Sequence, residues 1–252
     1  MCSQRTLLRK QGALYSAYRT IRVFLERFAP TRTLIGYLIE FKNTLVDSSE
    51  RDRKALEDEF SAEIDPYHFS DDLEQFRFQR ALEILAQAKC ERPFGQVLEV
   101  GCAEGMFTEM LAPLCRTLMA TDISQVALGR ARQRCEAISN VTFREWDVRC
   151  NPVEGTFDLI VATGVLEYIQ RPATLRAVRN KLVDALRPGG HLLLGNTVTT
   201  HSIEKTWVGR ILIRGTRIND FFALDNRLET IASSLDQCIC PFAHILLRKV
   251  DR

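Results

Sequence analysis

The feature that most constrains this chain is the run VLEVGCAEG at residues 97–105, followed at once by MFTEMLAPL. A strand-like apolar stretch enters a glycine turn, and the turn enters a segment of helical spacing. Gly101 lacks a Cβ, so the backbone there can turn sharply and let a ligand approach closely. Gly105 is expected to open the helix tightly against the strand. The spacing is not G-x-G-x-x-G: Cys102 and Ala103 fill the turn, and Glu99 stands two residues before Gly101. A glycine-rich strand–turn–helix alone does not single out one ligand, so the rest of the chain has to decide.

The remainder repeats the alternation. Strand candidates lie at 97–100, 117–121, 141–145, 159–162, 191–195 and 242–249, with amphipathic segments between most of them. Alternation of this kind predicts an α/β fold with a mostly parallel sheet and helices on both faces. Residues 243–248 are expected to pair antiparallel with a segment near 228–233 and form the sheet edge. LRPGG at 186–190 reads as a break before the fifth strand. Upstream, residues 1–64 read as a helical extension and 65–252 as the α/β domain. Leu7, Leu14, Tyr18, Ile21, Leu25 and Phe28 form one apolar stripe that Pro30 ends, and Leu34, Leu38, Phe41 and Leu45 form a second. The charged stretch 47–59 reads as a solvated loop or helix face. After the break DPYHFSDD, Asp71 or Asp72 can cap a helix carrying Leu73, Phe76, Ala81, Leu85 and Ala88 at helical spacing.

Composition narrows the class further. With 252 residues, 46% of them hydrophobic, the chain can bury a sizeable core. A formal charge of +2 gives no global field that commits it to nucleic acid or an anionic surface. Its eight cysteines are scattered without a C-x-x-C pair, which argues against zinc or a disulfide framework and for reduced thiols in a cytoplasmic protein. Arginines interrupt the apolar residues of the N-terminus, so neither a signal peptide nor a transmembrane helix is expected.

Two acids give the glycine turn its meaning. Asp122 ends the second strand in LMATDIS, about twenty residues on, where a carboxylate can accept both hydroxyls of a ribose. The alternative is a cap for the helix starting near Ser124. Asp147 ends the third strand in FREWDV and can accept from an adenine amino group, while the Val148 N–H can donate to a ring nitrogen. Turn, ribose acid and adenine acid fall in order on successive strands, a combination far more specific than any one part.

Together VLEVGCAEG, TDIS, the Asp147 turn, FDLIVATGVLEYI at 157–169 and LRPGG resemble the ordered motifs of class I S-adenosylmethionine (SAM)-dependent methyltransferases, over about 67–252. The resemblance implies a Rossmann-like sheet of about seven strands, SAM as cofactor and S-adenosylhomocysteine as product. It places Gly101, Cys102, Ala103 and Gly105 under the methionine part of SAM, and Asp122 and Ile123 beside the ribose. Asp147 and Val148 then fall beside the adenine, and Thr163 and Gly164 at the floor. Glu99 is expected to orient the loop or reach the SAM amino group through water. DPYHFSDDLEQFRFQRALEIL also resembles the segment before the core in NodS-like methyltransferases, which methylate an amine on a chitooligosaccharide. Asp65, Pro66, Tyr67, Glu74 and Arg77 match its Asp-Pro-aromatic element and Glu-x-x-Arg helix. That element folds over the cofactor, which brings Tyr67 to the site. Gly164 departs from the pattern, standing where related sequences often carry a polar residue.

A methyltransferase works mainly by alignment, and needs a general base only for a hydroxyl or a protonated amine. His68, in the expected lid, and His201, after the fifth strand, are the candidate acid/base groups; His191 and His244 read as structural. Glu167 and Tyr168 are candidates for acceptor contact. The expected acceptor is a nitrogen or oxygen atom of a small molecule or saccharide. The basic residues of the extension (Arg5, Arg9, Lys10, Arg19, Arg22, Arg27 and Arg32) suit packing over the core better than an anionic membrane surface, with pairing to a second subunit as a further alternative. A nucleic-acid methyltransferase is the main alternative, disfavoured because no Asn/Asp-Pro-Pro-aromatic element follows the fourth strand. A non-catalytic SAM-fold module would not need Gly101, Gly105, Asp122 and Asp147 together, and a nicotinamide enzyme is disfavoured by the glycine spacing.

Overall fold

The computed structural model of the protein describes residues 49–88, 93–169, 171–198, 216–236 and 241–250. The apolar runs become strands β1 (Phe94–Val100), β2 (Cys115–Asp122), β3 (Val141–Glu145), β4 (Phe157–Thr163), β5 (Leu186–Thr197), β6 (Leu228–Asp236) and β7 (Phe242–Lys249). They form one seven-stranded sheet in the order β3-β2-β1-β4-β5-β7-β6. β1 to β5 are parallel, whereas β7 runs antiparallel to both β5 and β6. The order reverses between β1 and β4, which opens a crevice at the carboxyl ends of those strands.

Helices α1 (Ser49–Ala62), α2 (Asp72–Leu85), α3 (Met106–Leu111), α4 (Gln125–Arg134), α5 (Pro172–Ala185) and α6 (Thr216–Ala223) accompany the sheet. Side chains alternate across a strand, so one strand feeds two cores. Leu98, Ile160, Ala162 and Leu192 join Leu175, Val178 and Leu182 of α5 and Phe222 of α6 on one face. Val97, Leu159, Val161 and Leu193 meet Phe78, Ala81 and Leu85 of α2 and Phe107 and Leu111 of α3 on the other. Burial on both sides is why these strands read as unbroken apolar runs rather than alternating ones.

Several expectations change in detail. LRPGG does not precede β5 but belongs to it: Phe157 pairs with Leu186 and Leu159 with His191, so the strand absorbs the extra residues as an irregularity. A Cβ on Gly190 would lie 2.9 Å from the Arg187 carbonyl oxygen and 3.1 Å from that of Phe157, so glycine permits the tight pairing. Phe76 points out of α2 at 45% exposure, while Arg77 and Phe78 turn inward. Asp71 takes the N-cap position with no side-chain bond; Asp65 instead ties down the turn, accepting from the N–H groups of Phe69 (2.7 Å) and Ser70 (2.9 Å). Gly105 does open α3, but its close approach is to α4 and not to the strand: a Cβ there would lie 3.0 Å from that of Ala131.

Of the two forms expected for the charged stretch, a solvated loop or a helix face, the structure shows the helix, α1, which lies on the domain through polar contacts, with Phe60 its one buried residue. Glu57 accepts from the N–H groups of Gln125 (2.6 Å) and Val126 (3.2 Å) and from Ser124 Oγ (3.0 Å). A carboxylate there caps the positive end of α4. Arg130 holds the other end of α1, donating to the carbonyl oxygens of Phe60 (2.6 Å) and Glu63 (2.9 Å). The two apolar stripes of 1–48 lie outside the described residues. Among the described residues, no helix is long and apolar enough to cross a membrane.

Candidate active site

The carboxyl ends of β3, β2, β1, β4 and β5 stand side by side, and a cavity of about 290 Å³ runs along them. Its β1–β3 end is lined by Gly101, Ala103, Asp122, Ile123, Asp147 and Val148, with Thr163 and Gly164 from the end of β4. Asp52, Leu56 and Phe60 of α1 also line it, as do Tyr67 and Phe69 of the following turn. Tyr67 therefore reaches the cavity as expected from its Asp-Pro-aromatic element.

Asp122 is tied to the turn. Its Oδ2 accepts from the Ala103 N–H at 2.9 Å and its Oδ1 from the Ser124 N–H at 2.9 Å. Ala103 takes a left-handed φ of 46°, which aims its N–H at that carboxylate. Burial pushes the Asp122 carboxyl above its ordinary value, against the pull of those N–H groups. Ser124 is the N-cap of α4, its Oγ accepting from the Ala127 N–H at 3.1 Å, and Asp122 supports the same helix start by holding the Ser124 N–H. A carboxylate has room for further donors beyond these bonds.

Gly101 takes φ 75°, and a Cβ on it would lie 2.8 Å from Val165 Cγ2. Its glycine is thus demanded by the β4 exit as well as by the turn. Gly164 takes φ 67°, and a Cβ on it would meet only open space, so its requirement is backbone conformation alone.

Three residues named for the cofactor stand behind the wall rather than in it. Glu99 is buried and accepts from Thr108 Oγ1 at 2.7 Å; burial raises its carboxyl to about 7. It braces α3 against β1. The Cys102 side chain packs with Ala120 and Leu128, and its N–H donates to the Thr121 carbonyl oxygen at 2.9 Å. Gly105 packs on Ala131. All three shape the turn because its outward face is the one the cavity uses.

Asp147 is more engaged than its sequence position shows. Arg149 donates to it from its backbone N–H (2.8 Å) and its guanidinium (3.1 Å), and Ser49 Oγ donates as well. Burial alone would raise its carboxyl, but these donors outweigh burial and hold it below the usual range. Arg149 also reaches Asp52 at 2.5 Å, linking α1 to the end of β3. Lys181 of α5 donates to the Val148 carbonyl oxygen at 2.7 Å and fixes the same loop from below.

The other end of the cavity lies under β5 and β7, where Thr197 pairs with Phe242. Glu74, Arg77, Glu167, Tyr168, Thr197 and Phe242 line it. Glu74 pairs with Arg77, whose guanidinium lies 4.8 Å above the Phe242 ring. Glu167 accepts from Thr197 Oγ1 at 3.4 Å. Burial raises the carboxyls of both Glu74 and Glu167 despite Arg77 nearby. Tyr168 donates to Tyr67 Oη at 3.2 Å.

The structure does not place His68 in the cavity. Its side chain is exposed and its backbone, at φ 55°, closes the turn by donating to the Asp65 carbonyl oxygen at 2.9 Å. The local turn, not the site, occupies that residue. His201 lies outside the described residues. His191 and His244 are buried, and burial lowers the His244 imidazole to about 4. Sequence reasoning missed Asp52 and Phe60, which come from a segment with no motif, and Arg149 and Phe242, whose side chains meet the site only through folding.

Known proteins share this arrangement. The family profile of nodulation protein S (NodS) matches residues 48–221. Nodulation protein S of Rhizobium tropici is 32% identical over 189 residues, 75% of this chain and 76% of that one. Its counterpart in Sinorhizobium fredii is 37% identical over 143 residues, 57% of this chain and 65% of that one. A crystal structure of N-methyltransferase NodS from Bradyrhizobium japonicum, in complex with S-adenosyl-L-homocysteine, superposes with a TM-score of 0.67 at 26% identity. That match covers 79% of this chain and 98% of the other. The glycine turn, the buried carboxylate of Asp122 beside it and the open floor at Gly164 suit that same cofactor. The chain belongs to the NodS family and is an S-adenosylmethionine-dependent methyltransferase.

Proposed function

We propose that the protein transfers the methyl group of SAM to a primary amine of a small molecule, with an amino-sugar oligomer as the first acceptor to try. The observation that carries this reading is the charge at the β5–β7 end of the cavity: among the described residues that line it, Glu74 pairs with Arg77 and Glu167 lies near the same guanidinium without an ion pair of its own. Burial raises both carboxyls in spite of Arg77, so a positive group placed beside them would be favoured. An amine or ammonium entering there supplies a further donor to these carboxylates. The same charges repel phosphates, which disfavours a nucleic-acid acceptor. The resemblance to N-methyltransferase NodS supports nitrogen as the target.

In this reading Asp122 accepts from the ribose hydroxyls, the Gly101–Ala103 turn underlies the methionine portion, and Val148 flanks the adenine. Asp147 acts largely through Arg149, which its carboxylate already holds. Thr163 and Gly164 form the floor between cofactor and acceptor. SAM supplies an electrophilic methyl group; the chain's work is to hold a nitrogen in line with it, away from water. Glu167 and Glu74 orient the amine, while Phe69 and Phe242 exclude solvent.

The test is methyl transfer to a glucosamine oligomer compared with its fully N-acetylated form. Transfer to the free amine alone is expected. Equal transfer to the acetylated oligomer, whose nitrogens are non-nucleophilic amides and whose remaining acceptors are hydroxyls, would replace the amine reading with O-methylation.

A further inference from the structure

The cavity is joined to the outer surface by a file of hydroxyls. Tyr168 stands on the 3-10 turn Leu166–Tyr168 after β4, and its hydroxyl donates to Tyr67 Oη at 3.2 Å. Tyr67 in turn donates to Glu59 Oε2 at 2.7 Å. Both tyrosines line the cavity, and Glu59 is exposed on α1. The contact between the hydroxyls is long, of the kind that tightens when substrate binds. Both donated protons run toward Glu59, which leaves the lone pairs of the Tyr168 oxygen to accept from a group in the cavity.

The chemistry requires such an exit. As the acceptor nitrogen bonds to the methyl carbon, the carbon–sulfur bond breaks with its electron pair staying on sulfur. The positive charge of the sulfonium then resides on nitrogen, and one proton must leave per turnover. A proton taken by Glu167 or Glu74 remains in the cavity, because both line it half-buried and are already engaged with Thr197 and Arg77. A proton reaching Glu59 is in contact with water.

We propose that Tyr168, Tyr67 and Glu59 carry the acceptor's proton out of the cavity to solvent. The inference rests on the amine reading above. Tyr168 Oη accepts the proton from nitrogen and passes its own to Tyr67 Oη; Tyr67 passes its own to the Glu59 carboxylate, which releases it to water. Tyr168 is the catalytic member because it touches the acceptor, and Tyr67 and Glu59 are positioning residues that act through it. Both phenols are kept neutral by burial first, and then by the carboxylates Glu59, Glu167 and Asp122. They therefore relay a proton and do not store a negative charge.

Phenylalanine at positions 67 and 168, and alanine at 59, separate relay from scaffold. The full chain, Glu59→Ala, Tyr67→Phe and Tyr168→Phe are assayed on a glucosamine oligomer in dilute and concentrated imidazole buffer, with SAM affinity followed by calorimetry. The expected result for Glu59→Ala is a kcat at least about tenfold lower in dilute buffer, restored by concentrated imidazole, with KM and SAM affinity unchanged. Tyr67→Phe and Tyr168→Phe lower kcat without that restoration, because the break then lies at the hydroxyls that line the cavity, upstream of Glu59. A Glu59→Ala enzyme equal to the unmodified one in dilute buffer, or a loss that imidazole does not restore, would overturn the relay while leaving amine methylation standing. Failure of the unmodified protein to methylate any amine would overturn the amine reading and the relay with it.

Discussion

The backbone N–H of Ala103 donates to Oδ2 of Asp122 at 2.9 Å, so the turn after β1 and the carboxylate at the end of β2 are one unit. Because the same carboxylate also holds the Ser124 N–H, removing it disturbs both the cofactor wall and the start of α4. Asp122→Asn keeps one acceptor oxygen and is the cleaner probe. SAM affinity is expected to fall about 10- to 100-fold, read by calorimetry, with the thermal transition retained. Asp122→Ala should lose both affinity and roughly 1–3 kcal/mol of stability, read by urea denaturation.

Glu99 gives the fold a pH signature. Its folded carboxyl titrates at about 7 against an ordinary 4.5, so the folded state holds a proton that the unfolded chain has released. Its stabilising effect is complete below 4.5 and is lost as pH rises toward 7. The interval corresponds to roughly 3 kcal/mol. Glu99→Gln retains an acceptor for Thr108 and should be more stable than the unmodified protein at pH 8 by up to that amount, with the advantage shrinking below pH 5. His244 acts in the opposite sense, costing stability as pH falls from 6.5 toward 4. The difference between the two urea-denaturation profiles is therefore the quantity to read.

Two glycines separate strain from crowding. Gly164→Ala meets only an unfavourable φ in open space and should cost about 1 kcal/mol. Gly105→Ala meets the same kind of φ and also the backbone of Ala131 at 3.1 Å. It should cost clearly more, about 2–4 kcal/mol. Denaturation of the pair side by side checks the ordering.

Helix α1 is attached by polar contacts, so it should open locally before the domain unfolds. Glu57→Ala leaves the N–H groups of Gln125 and Val126 without their carboxylate. About 1 kcal/mol of protection should be lost at α1 and the first turn of α4, seen by hydrogen exchange, while β1 and β4 stay protected.

Glu167→Gln removes a negative charge from the acceptor end without touching the β1–β3 end. The kcat/KM for an amine should fall about 10- to 100-fold, with SAM affinity by calorimetry unchanged. A loss of SAM affinity instead would place Glu167 in the cofactor site.

The sequence by itself determined the sheet and the cofactor. Strands buried on both faces announce themselves as apolar runs, and the Gly101 turn, Asp122 and Asp147 sit at fixed positions on successive strands, where local geometry dictates their order. The tertiary structure alone decided which groups meet. His68 looked placed for acid/base work, but the turn its backbone N–H closes leaves its side chain outside the cavity lining; the charged stretch took the helical of its two expected forms, α1, with Asp52 against Arg149. Glu99 and Cys102 turned behind the wall because side chains alternate across a strand and a tight turn has only one open face. The acceptor end is drawn from α2, the β4 exit, β5 and β7, which come together only when the sheet reverses order between β1 and β4. Contacts between segments more than a hundred residues apart, such as Tyr67 with Tyr168, leave no period or spacing in the chain to read.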